Sequence, residues 1–222
     1  MRIRTLSRTH ALLAWLTLLA GVAAPACGGT ISVHANLADH KPFGGAVVTV
    51  RGPAAHAPAA SVSAIVDQIN LAFVPDVIVI PVGSTVEFPN SDSVSHQIYS
   101  FSPTKRFQLP LYHGKPYPPV HFDQAGIVTL GCNIHDKMVG YIFVTDAAYF
   151  GRTDAGGIWT AANVPRGTYH VSLWHPLLRE SAASLERDVT VGADEPAKLE
   201  VQLAQPLRPA PLQSNSRSQN QY

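Results

Sequence analysis

Two cysteines and two methionines are all the sulfur in a chain of 222 residues, and charged side chains make up only 14% of it against a usual figure of about 25%. So little charge, beside 46% hydrophobic residues, excludes a disordered chain or a coiled coil. No sign of charge prevails, since 16 Lys and Arg face 15 Asp and Glu. Nucleic acid is therefore not an expected partner, because there is no basic surplus to neutralise phosphates. No sustained 3.6-residue apolar period marks a long helix. No Ser-His-Asp arrangement, paired carboxylates, P-loop or dinucleotide fingerprint stands out, so the chain does not read as an enzyme. What it does have is 18 Pro and 16 Gly, the residues of turns.

The N-terminus reads as a secretory signal peptide over residues 1–26. Arg2, Arg4 and Arg8 precede a 14-residue apolar run from Ala11 to Ala24, interrupted only by Thr17, and Ala24-Pro25-Ala26 forms a small-residue cleavage site. A retained membrane anchor would need about 20 apolar residues. The mature chain is expected to be periplasmic or secreted, with no transmembrane span, and its 13 basic and 15 acidic residues give a formal charge of −2. Cleavage after Ala26 leaves Cys27 first, which raises a lipid anchor as an alternative that Pro25 disfavours. Cys27 could also pair with Cys132 in an oxidising compartment.

Ten short alternating or β-branched runs separated by Gly, Pro, Asn and Asp predict an all-β fold. They are 31–34, 46–50, 77–82, 85–88, 96–101, 126–130, 140–144, 169–174, 188–191 and 198–203. Residues 61–70 fit one or two helical turns or an irregular strand. The turn-rich stretch after Thr145 places a domain boundary near residue 146. Of the last 18 residues, 12 are Pro, Gln, Ser or Asn, so 205–222 are expected to be disordered.

The chemistry concentrates in Gly131-Cys132-Asn133-Ile134-His135-Asp136-Lys137-Met138-Val139-Gly140. Thiolate, imidazole and thioether lie within seven residues, the soft and borderline donors that select copper. A trigonal His₂Cys set with a weak axial Met suits blue-copper electron transfer. His96, opening a strand after the polar turn 90–95, is the best second imidazole. In a β-sandwich the loop between two late strands can meet the end of an earlier one at the same pole. Zinc is the main chemical rival, since Cys and His are its usual ligands. His113 and His121 offer a second, weaker pair.

Cys132-x-x-His135-x-x-Met138, followed by Gly140-x-Ile142-x-Val144, resembles the ligand loop and last strand of cupredoxins, and its shortness is most similar to the amicyanin type, with plastocyanin a wider likeness. Phe73-Val74-Pro75, Ile78-x-Ile80-x-x-Gly83-x-Thr85-Val86-x-Phe88-x-Asn90 and His96 are similar to the family's earlier strands. The resemblance covers about residues 71–145. It implies a Greek-key β-sandwich over 27–145 and one type 1 copper held by His96, Cys132, His135 and axial Met138. It also implies that Asn90 pins the two ligand loops together from outside the ligand set. Val128 and Leu130 replace the family's aromatic residues before the cysteine, and Ile134 replaces its frequent proline. The Pro-rich insertion between His96 and Cys132 is expected to loop near the metal.

Residues 146–204 resemble a transthyretin-like or carboxypeptidase-regulatory-like module, an Ig-type β-sandwich, through Thr153-Asp154-Ala155-x-Gly157-x-Trp159 and Val164-Pro165-x-Gly167-x-Tyr169-x-Val171. The motif specifies a fold, not an activity. Residues 30–52, with Gly44-Gly45-Ala46-Val47-Val48-Thr49-Val50, fit either unit.

The cupredoxin likeness implies outer-sphere one-electron transfer with a transient partner, a dehydrogenase or cytochrome, through the exposed edge of His135 with Ile134 and Val139 as an apolar rim. The amicyanin likeness points to an amine-oxidising system of the methylamine-utilisation type. Copper storage or delivery, and a non-redox interaction scaffold, are the alternatives.

Overall fold

The structure is a computed structural model of the full chain, and it describes residues 28–53, 59–114, 116–135, 137–192 and 195–210. The expected signal peptide and Cys27 lie outside the described residues. Seventeen strands and one short 3₁₀ turn make the described chain all-β. In chain order the strands are β1 (Gly29–Asn36), β2 (Val47–Arg51), β3 (Ser63–Ile65), β4 (Asp67–Ile69), β5 (Ala72–Val74), β6 (Val77–Pro81), β7 (Ser84–Glu87), β8 (His96–Ser100) and β9 (Phe107–Tyr112). They continue with β10 (Val120–Phe122), β11 (Gly126–Gly131), β12 (Val139–Thr145), β13 (Tyr149–Arg152), β14 (Ile158–Val164), β15 (Gly167–Trp174), β16 (Arg187–Val191) and β17 (Ala197–Gln202).

Two hydrophobic cores form, because alternate residues of each strand turn inward. The first lies between the sheets β14-β1-β17 and β13-β2-β15-β16. Ile31, Val33, Val48, Val50, Tyr169, Val171 and Leu173 fill it, and Tyr169 Oη donates to the Pro165 carbonyl at 2.8 Å. The second lies between the five-stranded sheet β6-β12-β11-β8-β9 and the smaller β10-β7-β3, with the hairpin β4-β5 beside them. Phe73, Val86, Phe88, Ile98, Phe122, Val128, Leu130 and Ile142 fill this core, and Cys132 and Met138 belong to it.

Residues 29–51 pair with the C-terminal strands: β1 with β14 and β17, β2 with β13 and β15. The chain thus builds part of the first core, leaves it after Arg51 for the second, and returns after Thr145. Arg51 and Asp146 meet at that crossing in an exposed ion pair of 2.7 Å.

Each of the ten expected strands is present to within a residue or two, and the structure corrects two other expectations. Of the two readings of residues 61–70, the irregular strand holds and the helix does not: β3 and β4 run through them, since Val66 and Gln68 turn inward. The insertion after His96 is not one loop, because β9 runs along β8 and β10 along β7. The expected disorder of 205–222 does not hold for 205–210: Leu207 packs against the first core, and the Arg208 amide donates to the Leu177 carbonyl at 2.8 Å. Residues 211–222 lie outside the described residues.

Candidate metal centre

β8 and β11 are neighbours in the five-stranded sheet, Gly131 opposite Tyr99, so the start of one and the end of the other open at the same pole. His96 is the first residue of β8, and Cys132 follows directly on β11. The β11–β12 connection then brings His135 back over the thiol, and the Met138 amide closes that turn on the His135 carbonyl at 2.9 Å. The register depends on Gly131, because a Cβ there would stand 2.7 Å from Tyr99 Cζ.

His96, Cys132 and His135 form a cluster whose ligating atoms all lie within 4.8 Å of one another. Cys132 Sγ is 3.8 Å from His96 Nδ1 and 3.7 Å from His135 Nδ1, and the two Nδ1 atoms are 3.1 Å apart. For bonds of about 2.0 Å to nitrogen and about 2.3 Å to sulfur, a trigonal ion needs N···S separations of about 3.7 Å and an N···N separation of about 3.5 Å. The observed triangle matches on its two sulfur edges and is slightly tight on the third. A single first-row metal ion therefore fits the residues present.

The triangle is dry on one side and open on the other. His96 is fully buried and Cys132 is a buried free thiol, whereas His135 is half-buried. Burial, aided by the nearby His96, holds the His135 imidazole below its usual value and so favours the neutral form that binds metal. Ile134, beside it, is 53% exposed, while Met138 is buried in the same core as Cys132. Asn90 is buried, and its side chain donates to the carbonyls of Val94 (3.0 Å) and Tyr112 (2.9 Å) and accepts from the Asp92 amide (3.0 Å). Those bonds brace the 90–95 turn against β9, on the His96 side, where the family resemblance implies a tie between the two ligand loops.

Asp92 is the residue that sequence reasoning passed over. Its Oδ2 lies 3.0 Å from His96 Nε2, the ring nitrogen facing away from the cluster, and also accepts the Leu71 amide at 2.8 Å. Burial pushes its pKa up, but the amides of Leu71 and Ser93 and the His96 ring outweigh this and keep the carboxyl below its ordinary value. Asp92 reads in sequence as one more polar turn residue, and only its position four before a histidine hints at more. His113 and His121 are exposed and join no cluster of three ligating side chains among the described residues.

No family model matches the chain, and no curated protein matches it either. Among solved structures it is similar to a purple cupredoxin from Nitrosopumilus maritimus, at 28% identity over 37% of this chain and 99% of that one, with a TM-score of 0.34. It is similar to a copper-containing nitrite reductase from Thermus scotoductus at 29% identity and a TM-score of 0.36, over 40% of this chain but only 25% of that one. A reduced amicyanin variant matches at 20% identity over 44% of this chain and 99% of that one, with a TM-score of 0.34.

Proposed function

We propose that this chain is an exported blue-copper electron carrier, in which residues 59–145 form a cupredoxin unit and residues 29–51 join 146–204 in a second, transthyretin-like β-sandwich. The observation that carries the reading is the triangle of His96 Nδ1, Cys132 Sγ and His135 Nδ1, at separations that suit one trigonal ion. The donor set, one thiolate and two imidazoles with a methionine at hand, favours copper over zinc. Met138 would complete the residues that hold the ion in this reading. Bound there, copper supplies a one-electron Cu(II)/Cu(I) couple and no bond-making chemistry.

The chain's own part is to hold the ligands still. His96 and Cys132 are anchored on adjacent strands of one sheet and buried, which excludes water and limits rearrangement between oxidation states. His135, half-buried, brings a ring edge towards solvent, and Ile134 with Val139 gives a partner an apolar rim for a small, transient interface. Four protein ligands leave no open position for a substrate, which sets this site apart from a copper enzyme. The partner is a dehydrogenase or cytochrome, and the amicyanin likeness favours an amine-oxidising system.

The test is the visible spectrum of the purified mature protein titrated with Cu(II), with a zinc-treated control. An intense thiolate-to-copper band at one copper per chain is the expected result. Copper binding without that band would transfer the assignment to copper storage or delivery. No copper binding would leave the two sandwiches as an interaction scaffold.

A further inference from the structure

Both ring nitrogens of His96 are engaged. Nδ1 faces Cys132 Sγ and His135 Nδ1, and Nε2 faces the Asp92 carboxylate at 3.0 Å. The Asp92 side chain is only 8% exposed, yet both its oxygens are occupied. Oδ2 takes the Leu71 amide and His96, and Oδ1 takes the Ser93 amide at 2.8 Å. The Leu71 amide arrives through the two-residue turn of the β4–β5 hairpin, where Asn70 (φ 52°) and Leu71 (φ 60°) both stand in the left-handed region. Such turns favour glycine at the second position, since a Cβ is disfavoured there. The chain thus holds a leucine in an unfavourable conformation beside the carboxylate that meets His96.

An ionised carboxylate only accepts hydrogen bonds, so the proton between Asp92 and His96 sits on Nε2. With its proton held on Nε2, His96 turns Nδ1 to the cluster as the ligating nitrogen. We propose that Asp92 is a positioning residue of the metal centre: it fixes His96 in the form protonated on Nε2, and its negative charge favours the dipositive over the monopositive ion. A carboxylate behind a ligating histidine orients the ring and raises its basicity. An anion in a poorly solvated position also stabilises the higher charge on a nearby metal. This inference rests on the copper reading above. The simpler role for Asp92, capping the 90–96 turn through Leu71 and Ser93, requires no charge.

The experiment uses the full mature chain and the variants Asp92→Ala, Asp92→Asn and Leu71→Gly, with copper affinity, reduction potential, thermal melting and ¹⁵N imidazole NMR of the metal-free protein as readouts. In the wild type the His96 proton is expected on Nε2. Asp92→Ala is expected to lose about 10- to 100-fold in Cu(II) affinity and less in Cu(I) affinity. The potential then rises, by about 59 mV for each tenfold difference in a one-electron couple. Asp92→Asn retains one of the two acceptor oxygens and removes the charge, and it is expected to melt between the wild type and Asp92→Ala while its potential still rises. Leu71→Gly, which retains the amide and removes the Cβ, is expected to leave both tautomer and potential unchanged. A potential and affinity unchanged in Asp92→Asn would overturn the proposal and leave a turn cap. So would a metal-free His96 protonated on Nδ1. Failure of the wild type to bind copper would remove the copper reading and the charge preference with it, while the tautomer measurement still decides whether Asp92 sets the His96 ring.

Discussion

A residue without a side chain positions the thiol. Tyr99 lies so close over Gly131 that an added Cβ would meet Cζ at 2.7 Å and Oη at 2.8 Å, and the next residue along is Cys132. Gly131→Ala should therefore cost about 1–3 kcal/mol in thermal or denaturant unfolding, as overpacking does, and reduce copper occupancy by displacing Sγ. Adding Tyr99→Ala should recover part of both losses, and a double-mutant cycle measures how much. Met138→Leu tests a different link. The two side chains are close in volume, so the substitution should cost under about 1.5 kcal/mol, yet removing the thioether should shift the potential and the visible spectrum. An unchanged spectrum would make Met138 a packing residue. At this scale the gathering of His96, Cys132 and His135 was legible, because few chemistries use Cys and His at such spacing with a Met beside them. Asp92 was not, because its role depends on a 3.0 Å approach set by the fold of a turn, and its residue type says only that a turn is there.

At the scale of strands, β9 shows both what the sequence hid and what that costs to disturb. Pro110 in Phe107–Tyr112 argues against a strand, and the structure accommodates it because β9 is the edge of its sheet. Of the three-residue strands, β10 was illegible, β3 and β4 were readable only as an irregular strand that a helix rivalled, and β5 only through the family likeness, because three residues hold too little alternation to read. Yet β9 ends in Tyr112, opposite His96, whose hydroxyl donates to the Phe88 carbonyl and accepts from Gln68 Nε2. Burial, the largest influence, pushes the Tyr112 hydroxyl up to about 12 from an ordinary 10. The folded value lies above the unfolded one, so this contribution is complete below pH 10 and is lost as pH rises through 12. Two units correspond to about 2–3 kcal/mol. Tyr112→Phe should be about 1–3 kcal/mol less stable near pH 8, from the orphaned Phe88 and Gln68 groups. The gap to the wild type should narrow between pH 10 and 12. Denaturant unfolding of both proteins across that range is the check; a gap independent of pH would place the Tyr112 hydroxyl in a solvated environment.

Across the whole molecule, two separate cores meet through a few contacts. Trp174, at the end of β15, packs its ring on Phe143 and Tyr141 at centroid distances of 5.2 and 6.0 Å, on the face of β12 turned away from the second core. Arg152 ties Gly45 of the first sandwich to Val77 of the second through its guanidinium, at 3.0 and 2.9 Å. The Arg51–Asp146 pair at the crossing is exposed and contributes at most about 1 kcal/mol. Among the described residues no buried residue is shared between the two cores, so they should unfold in two calorimetric transitions. Copper would bind the native second core and not its unfolded form, which stabilises that core by about 4.1 kcal/mol at a thousandfold excess over Kd. Calorimetry with and without copper should accordingly show one transition displaced upward and the other nearly still. Trp174→Ala should widen the separation while leaving the visible band in place, since Trp174 touches β12 on its outer face and not the ligand loop. A single transition that copper moves as a whole would show instead that Trp174 and Arg152 couple the cores strongly, and that the first sandwich is a structural support of the metal centre.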